Sequence, residues 1–320
     1  MTSIAYVFPG QGSQAVGIGR ELADVSTAAA AVFAAADNAL GEPISRLAWE
    51  GPEDELNRTE NAQPALLAAS IAYLAALRER HGAEGDQPSG PAQEPRFMAG
   101  HSMGQYSALV AAGVVSLEDG VRLVRERGVR MQQSGAGRDG AMAAVIGLDE
   151  AAIPKLVRLA SAYGVFGVAN RNSPGQVVVS GERAAVDAAV EIAKSLGAKR
   201  IIVLPVSVAA HSPLMAEAAV AMREVLRDVA FADPTVPLVA NADAHLLETG
   251  EACRAELVDH LTSGVDWIRA VETMATAGID TFIEVGPGKV LTNLIKRIAP
   301  DATALALDEA GAPGRLAVPA

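Results

Sequence analysis

Cysteine is almost absent from this chain: Cys253 is the only one in 320 residues, which excludes an internal disulfide and a thiolate metal cluster. That scarcity fits a reducing compartment, and a cytoplasmic location is the expectation. Aromatic residues make up only 4%, so Ala, Val and Leu must fill the core. No apolar run is long enough to span a bilayer, and Met1 to Gly12 shows no basic leader followed by an apolar stretch, so no membrane association is expected. Positive charge is in deficit, with 26 Lys and Arg against 38 Asp and Glu and a formal net charge of -12. A field of that sign repels phosphate and argues against general affinity for nucleic acid; an acidic partner would need a local basic patch. What is present is apolar content, half of the residues, ample for a globular core in a chain whose length favours one large domain carrying a smaller one.

Ile4–Phe8 is a short apolar run ending in Phe8-Pro9-Gly10-Gln11-Gly12-Ser13-Gln14, a buried strand feeding a tight loop. A helix is expected from about Pro64 to Arg80, then a polar, Gly- and Pro-rich surface loop from His81 to Pro95. Arg96 to Gly100 reads as a strand, Gly100 to Gly104 as a sharp turn, and Gln105 to Ala112 as a helix of small residues. Ser116 and Asp119 form a capping box opening a helix to about Gln133. From Gly140 to Ser207 the pattern becomes strand 141–147, helix 150–162, strands 165–170 and 176–180, helix 184–196 and strand 199–205. That βαββαβ order is the split ferredoxin-like unit. The chain then returns to a helix from Pro213 to Val229 and strands at 236–240 and 281–285, so the expected organisation is α/β: a discontinuous large domain (1–138 and 207–307), a small domain (139–206) and a disordered tail (308–320).

Gly100-His101-Ser102-Met103-Gly104 fits G-x-S-x-G between a strand and a helix, where a nucleophilic serine sits on a strained turn. The pattern also recurs by chance, so Ser102 needs a base among His81, His101, His211, His245 and His260. His211 is the best placed: a strand precedes it, and Ser212 as cap with Pro213 at the first helical position fixes the backbone after it. A packed or capping histidine is the alternative. His81 and His245 lie in polar, loop-like surroundings, and His101, beside Ser102 on a tight turn, reads as a wall of the site.

Gly10-Gln11-Gly12 with Ala15 also fits a dinucleotide fingerprint, but Asp37, where a ribose-binding acid would be sought, lies in a helical Ala-rich segment instead of ending a strand. The better reading is a loop whose backbone N–H joins that of Met103 in an oxyanion hole. On the helix after Ser116 the apolar stripe is Leu117, Val121, Val124, Gly128 and Met131; at about 100 degrees per residue Arg127 falls on its margin while Arg122, Arg125 and Arg130 point away. An inward guanidinium demands an anion, either an internal acid or a ligand carboxylate.

Taken in order, six segments of the chain resemble the malonyl-CoA:acyl carrier protein transacylase family, which includes the acyltransferase domains of fatty acid and polyketide synthases. They are 8–14, 100–104, Arg127-Gly128, Asn170-Arg171-Asn172-Ser173-Pro174-Gly175-Gln176, 206–211 and Glu284-Val285-Gly286-Pro287-Gly288-Lys289. The resemblance, from Ile4 to about Ile298, implies an α/β-hydrolase-like large domain with the ferredoxin-like insert beside it and the site in the cleft between. It implies Ser102 as nucleophile, His211 as base, the N–H groups of Gln11 and Met103 as oxyanion hole, and Arg127 as partner of the malonyl carboxylate. His101, Asn170, Asn172, Ala210 and His260 would line or orient the pocket. In such enzymes a backbone carbonyl, not an Asp, orients the histidine; the matching position, often Gln, is His260 here.

The implied reaction is ping-pong transfer from coenzyme A to a carrier's phosphopantetheine thiol, with no bound cofactor or metal. A small residue at position 210, before the base, leaves room for a substituted malonyl group, so methylmalonyl or another extender unit for a polyketide synthase stays open. Because carrier proteins are acidic, docking is expected on a basic spot formed by Lys199, Arg200, Lys289, Lys296 and Arg297. The rival readings are a serine hydrolase or thioesterase with the same Ser102 and His211, and a non-catalytic carrier-binding subunit.

Overall fold

The computed structural model describes residues 2–83, 94–135, 139–206 and 208–310. Most of the expected loop at 81–95, and the tail from residue 311 on, lie outside the described residues. Among those described, strands β1 (Ile4–Phe8), β2 (Phe97–Gly100), β3 (Gly140–Ile146), β4 (Phe166–Ser173), β5 (Gln176–Glu182), β6 (Arg200–Val203), β7 (Leu238–Val239), β8 (Leu246–Leu247), β9 (Val265–Asp266), β10 (Thr281–Glu284) and β11 (Thr303–Ala306) build two sheets. The first has the order β11-β10-β1-β2-β7-β8 and the second β6-β3-β5-β4-β9.

β1 lies inside the first sheet, parallel to β10 on one side and β2 on the other, and is buried along its whole length. A strand covered on both faces reads as a continuous apolar run. Its alternation divides two cores: Ile4, Tyr6 and Phe8 join Leu66, Leu67 and Tyr106 from helices Thr59–Ala83 and Gly104–Ala111. Ala5 and Val7 point the other way, onto Trp267, Val271 and Met274 of helix Trp267–Thr276 and Leu291 and Ile295 of helix Val290–Ile298. The second of those helices is capped by the fully buried Glu284, whose carboxylate accepts from the N–H groups of Leu291 (3.0 Å) and Thr292 (2.7 Å).

In the second sheet β3 pairs antiparallel with β5 and β6, and β5 with β4. Ala141, Ala143 and Val145 bury one face under helices Ile153–Ala160 and Arg183–Ser195, while Met142 and Ala144 face Ile202, Leu204 and Ala210 on the other.

Several expectations need correction. The helix expected at Pro64 starts at Thr59 and continues to Ala83, so His81 is helical rather than in a loop; Pro64 sits inside it, past the first turn, where it has no N–H to give the Glu60 carbonyl. Residues Pro213–Met215 form a 3-10 turn before helix Ala216–Arg227. The second sheet does not end with residue 206: β9, from the later part of the chain, adds a parallel strand to β4 through Asn170 and Val265. Residues Leu307–Ala310 form a turn instead of starting a disordered tail, because Asp308 bonds to the Gly288 N–H at 2.7 Å and to the Tyr73 hydroxyl. Helix Gly250–Ser263 and the two helices that back the first sheet carry no sequence expectation at all. No helix among the described residues is long and apolar enough to cross a membrane.

Candidate active site

Adjacent parallel strands β1 and β2 end together, with Phe8 opposite Gly100, so the loops that follow them emerge side by side, the position at which open parallel sheets present ligands. The loops are in contact: the His101 N–H donates to Phe8 O at 3.0 Å. Packing there leaves no room for side chains at the motif glycines. A Cβ on Gly104 would lie 2.2 Å from Phe8 O, and one on Gly100 2.0 Å from the Gly104 carbonyl carbon. Between them Ser102 is held at φ 54°, a left-handed conformation that costs a non-glycine residue about 1–2 kcal/mol. Two buried amides secure it. Asn241, just beyond β7, accepts the Ser102 N–H on Oδ1 at 2.8 Å, and Gln105 accepts the Gly100 N–H at 3.0 Å while donating to Val239 O at 3.2 Å. Beyond the serine, the N–H groups of Gly104, Gln105 and Tyr106 return to the carbonyls of His101, Ser102 and Met103. The N–H of Met103, ahead of the first helical turn, is thus among the donors that a helix start leaves free.

His211 also adopts a left-handed backbone, φ 57°, braced by Ser212, whose hydroxyl donates to Ala209 O at 2.7 Å and accepts from Leu214 N at 3.3 Å. The ring lies between two partners: Nδ1 is 2.7 Å from the main-chain oxygen of His260 and Nε2 is 2.8 Å from Ser102 Oγ. A carbonyl only accepts, so Nδ1 carries the proton and Nε2 offers its lone pair to the serine hydroxyl. Burial, with the Arg127 charge second and His101 a lesser cause, pushes the His211 pKa down to about 3 despite the opposing pull of the His260 carbonyl. The imidazole is therefore a neutral base at working pH.

Arg127 reaches the same oxygen. Its helix, Leu117–Gly135, approaches the start of helix Thr59–Ala83 so closely that a Cβ on Gly128 would lie 2.6 Å from Glu60 Cα. The guanidinium is 1% exposed. Nη1 donates to Gln63 Oε1 at 2.9 Å, Nη2 donates to Ser102 Oγ at 3.1 Å and lies 3.4 Å from His260 Nε2, and the cation sits 5.8 Å from the Tyr106 ring centroid. Among the described residues Nε has no acceptor and no Asp or Glu pairs with this arginine. Burial lowers its pKa, yet a guanidinium stays charged. Of the two anions open to it, an internal acid is thus not found among the described residues, where a buried cation faces the serine without a counter-charge.

Of the pocket residues expected from sequence, His101 lies beside Ser102: its Nε2 meets Asn172 Oδ1 at 2.9 Å, tying β4 to the serine turn, and its ring packs on Trp267. Burial lowers its pKa. Asn170 is buried in β4 at the junction with β9, and Ala210 packs against the inner face of the second sheet. Gln11 is exposed on the loop beside the serine turn, its side chain 3.4 Å from Thr59 Oγ1. His245 is exposed and paired with Asp243. Asp37, the rejected ribose ligand, accepts from the N–H and hydroxyl of Ser45 inside a helical segment. Arg125 departs from expectation: its side chain is only 18% exposed and pairs with Glu42.

Three residues escaped the sequence reading. Gln63 positions Arg127, Asn241 holds the Ser102 N–H, and the buried Glu256 accepts the Asn241 N–H at 2.6 Å. Burial raises Glu256 to about 7, against the pull of the Asn241 N–H. A polar residue just past a strand that neighbours β2 was a signal available for Asn241.

The cations expected to dock a carrier are exposed. Arg200 pairs with Ile146 across the strands, Ile146 with Gln176, and Arg297 donates to Gln176 Oε1 at 3.1 Å. The alkyl stem of Lys199 packs at Gly147 on the same end of the sheet. Lys296 neighbours Arg297 in the last turn of its helix; Lys289 lies at that helix's other end. Among the described residues no group of three or more His, Cys, Asp or Glu is placed to hold a metal ion.

Comparison with known proteins places this arrangement in context. Residues 5–307 match the family model described as an acyl transferase domain. The chain is 46% identical over 312 residues to the malonyl CoA-acyl carrier protein transacylase of Escherichia coli (strain K12), covering 98% of each. The solved structure of the malonyl CoA-acyl carrier protein transacylase from Coxiella burnetii superposes with a TM-score of 0.92 at 36% identity, over 98% of this chain and 96% of that one. A malonyl-transacylase solved in complex with its type II polyketide synthase acyl-carrier protein superposes with a TM-score of 0.90 at 41% identity, over 96% of both chains.

Proposed function

The chain belongs to the acyl transferase family, and from that premise we propose that it moves a malonyl group from coenzyme A to the phosphopantetheine thiol of an acyl carrier protein through an ester on Ser102. The observation that carries this reading is the Arg127 guanidinium, uncompensated among the described residues and 3.1 Å from the nucleophilic oxygen. A site built for plain ester hydrolysis has no use for a buried cation there, whereas a malonyl thioester brings the missing carboxylate next to the carbonyl under attack.

Ser102 Oγ attacks the thioester carbon as its proton passes to His211 Nε2, with Nδ1 held by the His260 carbonyl. The tetrahedral oxygen rests on the N–H groups of Gln11 and Met103. Collapse expels the coenzyme A sulfur, protonated by His211, and leaves the malonyl ester. The carrier thiol then gives its proton to His211 and attacks the ester, and the same proton returns to Ser102 as the thioester departs. No carboxylate is needed behind the histidine, because a buried, neutral imidazole with one fixed tautomer already has its lone pair aimed at the serine.

The strand order β6-β3-β5-β4 supports reading residues 139–206 as a ferredoxin-like insert in a hydrolase-like domain made of 1–138 and 207–307, with the serine in the cleft between them. The His101 to Asn172 contact lies at that seam. Lys199, Arg200, Lys296 and Arg297 form a basic spot on one end of the insert, suited to an acidic carrier, with Lys289 farther along. The methyl group of Ala210 beside the base leaves space at the acyl α-carbon, which favours tolerance of methylmalonyl.

Isolated malonyl-enzyme, mixed with holo carrier or with buffer, tests transfer. The carrier thioester should form much faster than malonate appears in buffer; malonate release at one rate in both would identify a hydrolase.

A further inference from the structure

Besides Ser102, His260 touches both halves of the machinery, and it does so through different atoms. Its main-chain oxygen holds Nδ1 of the base at 2.7 Å. Its ring faces the other way: Nδ1 is 3.0 Å from Glu256 O and Nε2 is 3.4 Å from Arg127 Nη2. Because Glu256 O only accepts, the ring proton sits on Nδ1 and Nε2 presents a lone pair to the guanidinium. The ring is fully buried and boxed by Tyr106, edge-on at 6.3 Å, and by His211 at 6.0 Å, so solvent cannot substitute for that acceptor.

We propose that the His260 imidazole is a positioning residue for acyl selection, orienting the Arg127 guanidinium toward the acyl carboxylate without neutralising it. This rests on the reading that Arg127 receives that carboxylate. Among the described residues the acceptors around Arg127 are Gln63 Oε1, Ser102 Oγ and His260 Nε2, and all are neutral. An Asp or Glu in place of His260 would hold the cation equally well but satisfy its charge, leaving nothing for the substrate. Once Ser102 is acylated its oxygen becomes an ester oxygen, a poorer acceptor, so His260 and Gln63 carry the guanidinium through the second half of the reaction. Burial and the Arg127 charge both keep His260 unprotonated, which preserves the lone pair.

Substitution separates the ring from the carbonyl, since every variant keeps the main-chain oxygen that orients His211. His260→Phe fills the ring volume without a lone pair, and His260→Gln supplies an amide oxygen instead; His260→Leu replaces the first should it fail to fold by far-UV circular dichroism. Acylation by malonyl-CoA and acetyl-CoA is measured by rapid-quench mass spectrometry, with p-nitrophenyl acetate as a neutral reporter of Ser102 and His211. In His260→Phe the malonyl-to-acetyl ratio of kcat/KM should fall by about 10- to 100-fold, the worth of one hydrogen bond to a charged group. Any change in p-nitrophenyl acetate turnover reports on Ser102 and His211 themselves and acts on both thioesters alike, so it cancels in the ratio, and His260→Gln should restore most of that ratio. Equal losses on both thioesters, or a Gln variant no better than Phe, would overturn the proposal. A wild type that forms no malonyl adduct would instead remove the reading of Arg127, and the proposal with it.

Discussion

Replacing Arg127 by Met removes a buried cation while retaining an unbranched apolar stem, with two separate consequences. For stability, the variant leaves Gln63 Oε1 without its 2.9 Å donor and the buried His260 Nε2 without its 3.4 Å one, a cost of about 1–3 kcal/mol each. Against that, it relieves the burial of a charge that has no acidic partner among the described residues, a penalty of several kcal/mol per ion. The two nearly cancel, so the net expectation lies within about 2 kcal/mol of no change, or about 4 °C in Tm. For catalysis the malonyl carboxylate loses its counter-ion, about 2–5 kcal/mol for a buried hydrogen-bonded charge pair, hence roughly 30- to 5,000-fold in malonyl-CoA kcat/KM. Acetyl-CoA, which leaves the arginine unpaired, should gain relative to malonyl-CoA. Differential scanning fluorimetry and rapid-quench acylation read the two effects independently. Destabilisation by about 3–5 kcal/mol, as when a buried ion pair is broken, with equal losses on both thioesters, would refute the reasoning and make Arg127 a structural residue.

Asn241→Ala strands the buried Ser102 N–H, which should cost about 1–3 kcal/mol and slow acylation by about 10- to 100-fold as the strained serine relaxes; an unchanged acylation rate would remove Asn241 from the positioning set. The His211 pKa of about 3 lies below its ordinary 6.5, so the acylation rate should stay level as pH falls through 6.5, where an unperturbed histidine would halve it. Between pH 6.5 and 3 the unfolded chain binds a proton that folded His211 refuses, so wild type should lose stability relative to His211→Gln by up to about 1.4 kcal/mol per pH unit in that window, with no difference in slope above it. Charge reversal at Lys296 and Arg297 should raise KM for the carrier while sparing acylation by malonyl-CoA, and an unchanged KM would move the docking site elsewhere.

The parts of the site that could be read from sequence are those whose geometry is local. The Gly100 and Gly104 spacing declares a turn too tight for side chains, Ile4–Phe8 declares a strand buried on both faces, and the helical phase of Arg127 draws it toward the core. Even phase has limits. Arg125, assigned to the outer face, is largely covered because Glu42, from the turn after helix Thr27–Leu40, and Asn61, from another helix, meet it. Gln63 was missed because Pro64 looked like the start of a helix that begins at Thr59. Asn241 and Glu256 acquire their roles only when β7 pairs with β2 and helix Gly250–Ser263 folds behind them, contacts that no local pattern encodes. The His260 ring is the same kind of case: its partner Arg127 comes from a helix far back in the chain.

The covalent step is the claim on which the rest depends. Intact-mass measurement of wild type and Ser102→Ala after brief exposure to malonyl-CoA, without carrier, tests it most directly. The account predicts a single malonyl-sized adduct on wild type that is absent from the variant and lost on adding holo carrier. An adduct that persists in Ser102→Ala, or carrier malonylation by wild type with no adduct ever detectable, would contradict it.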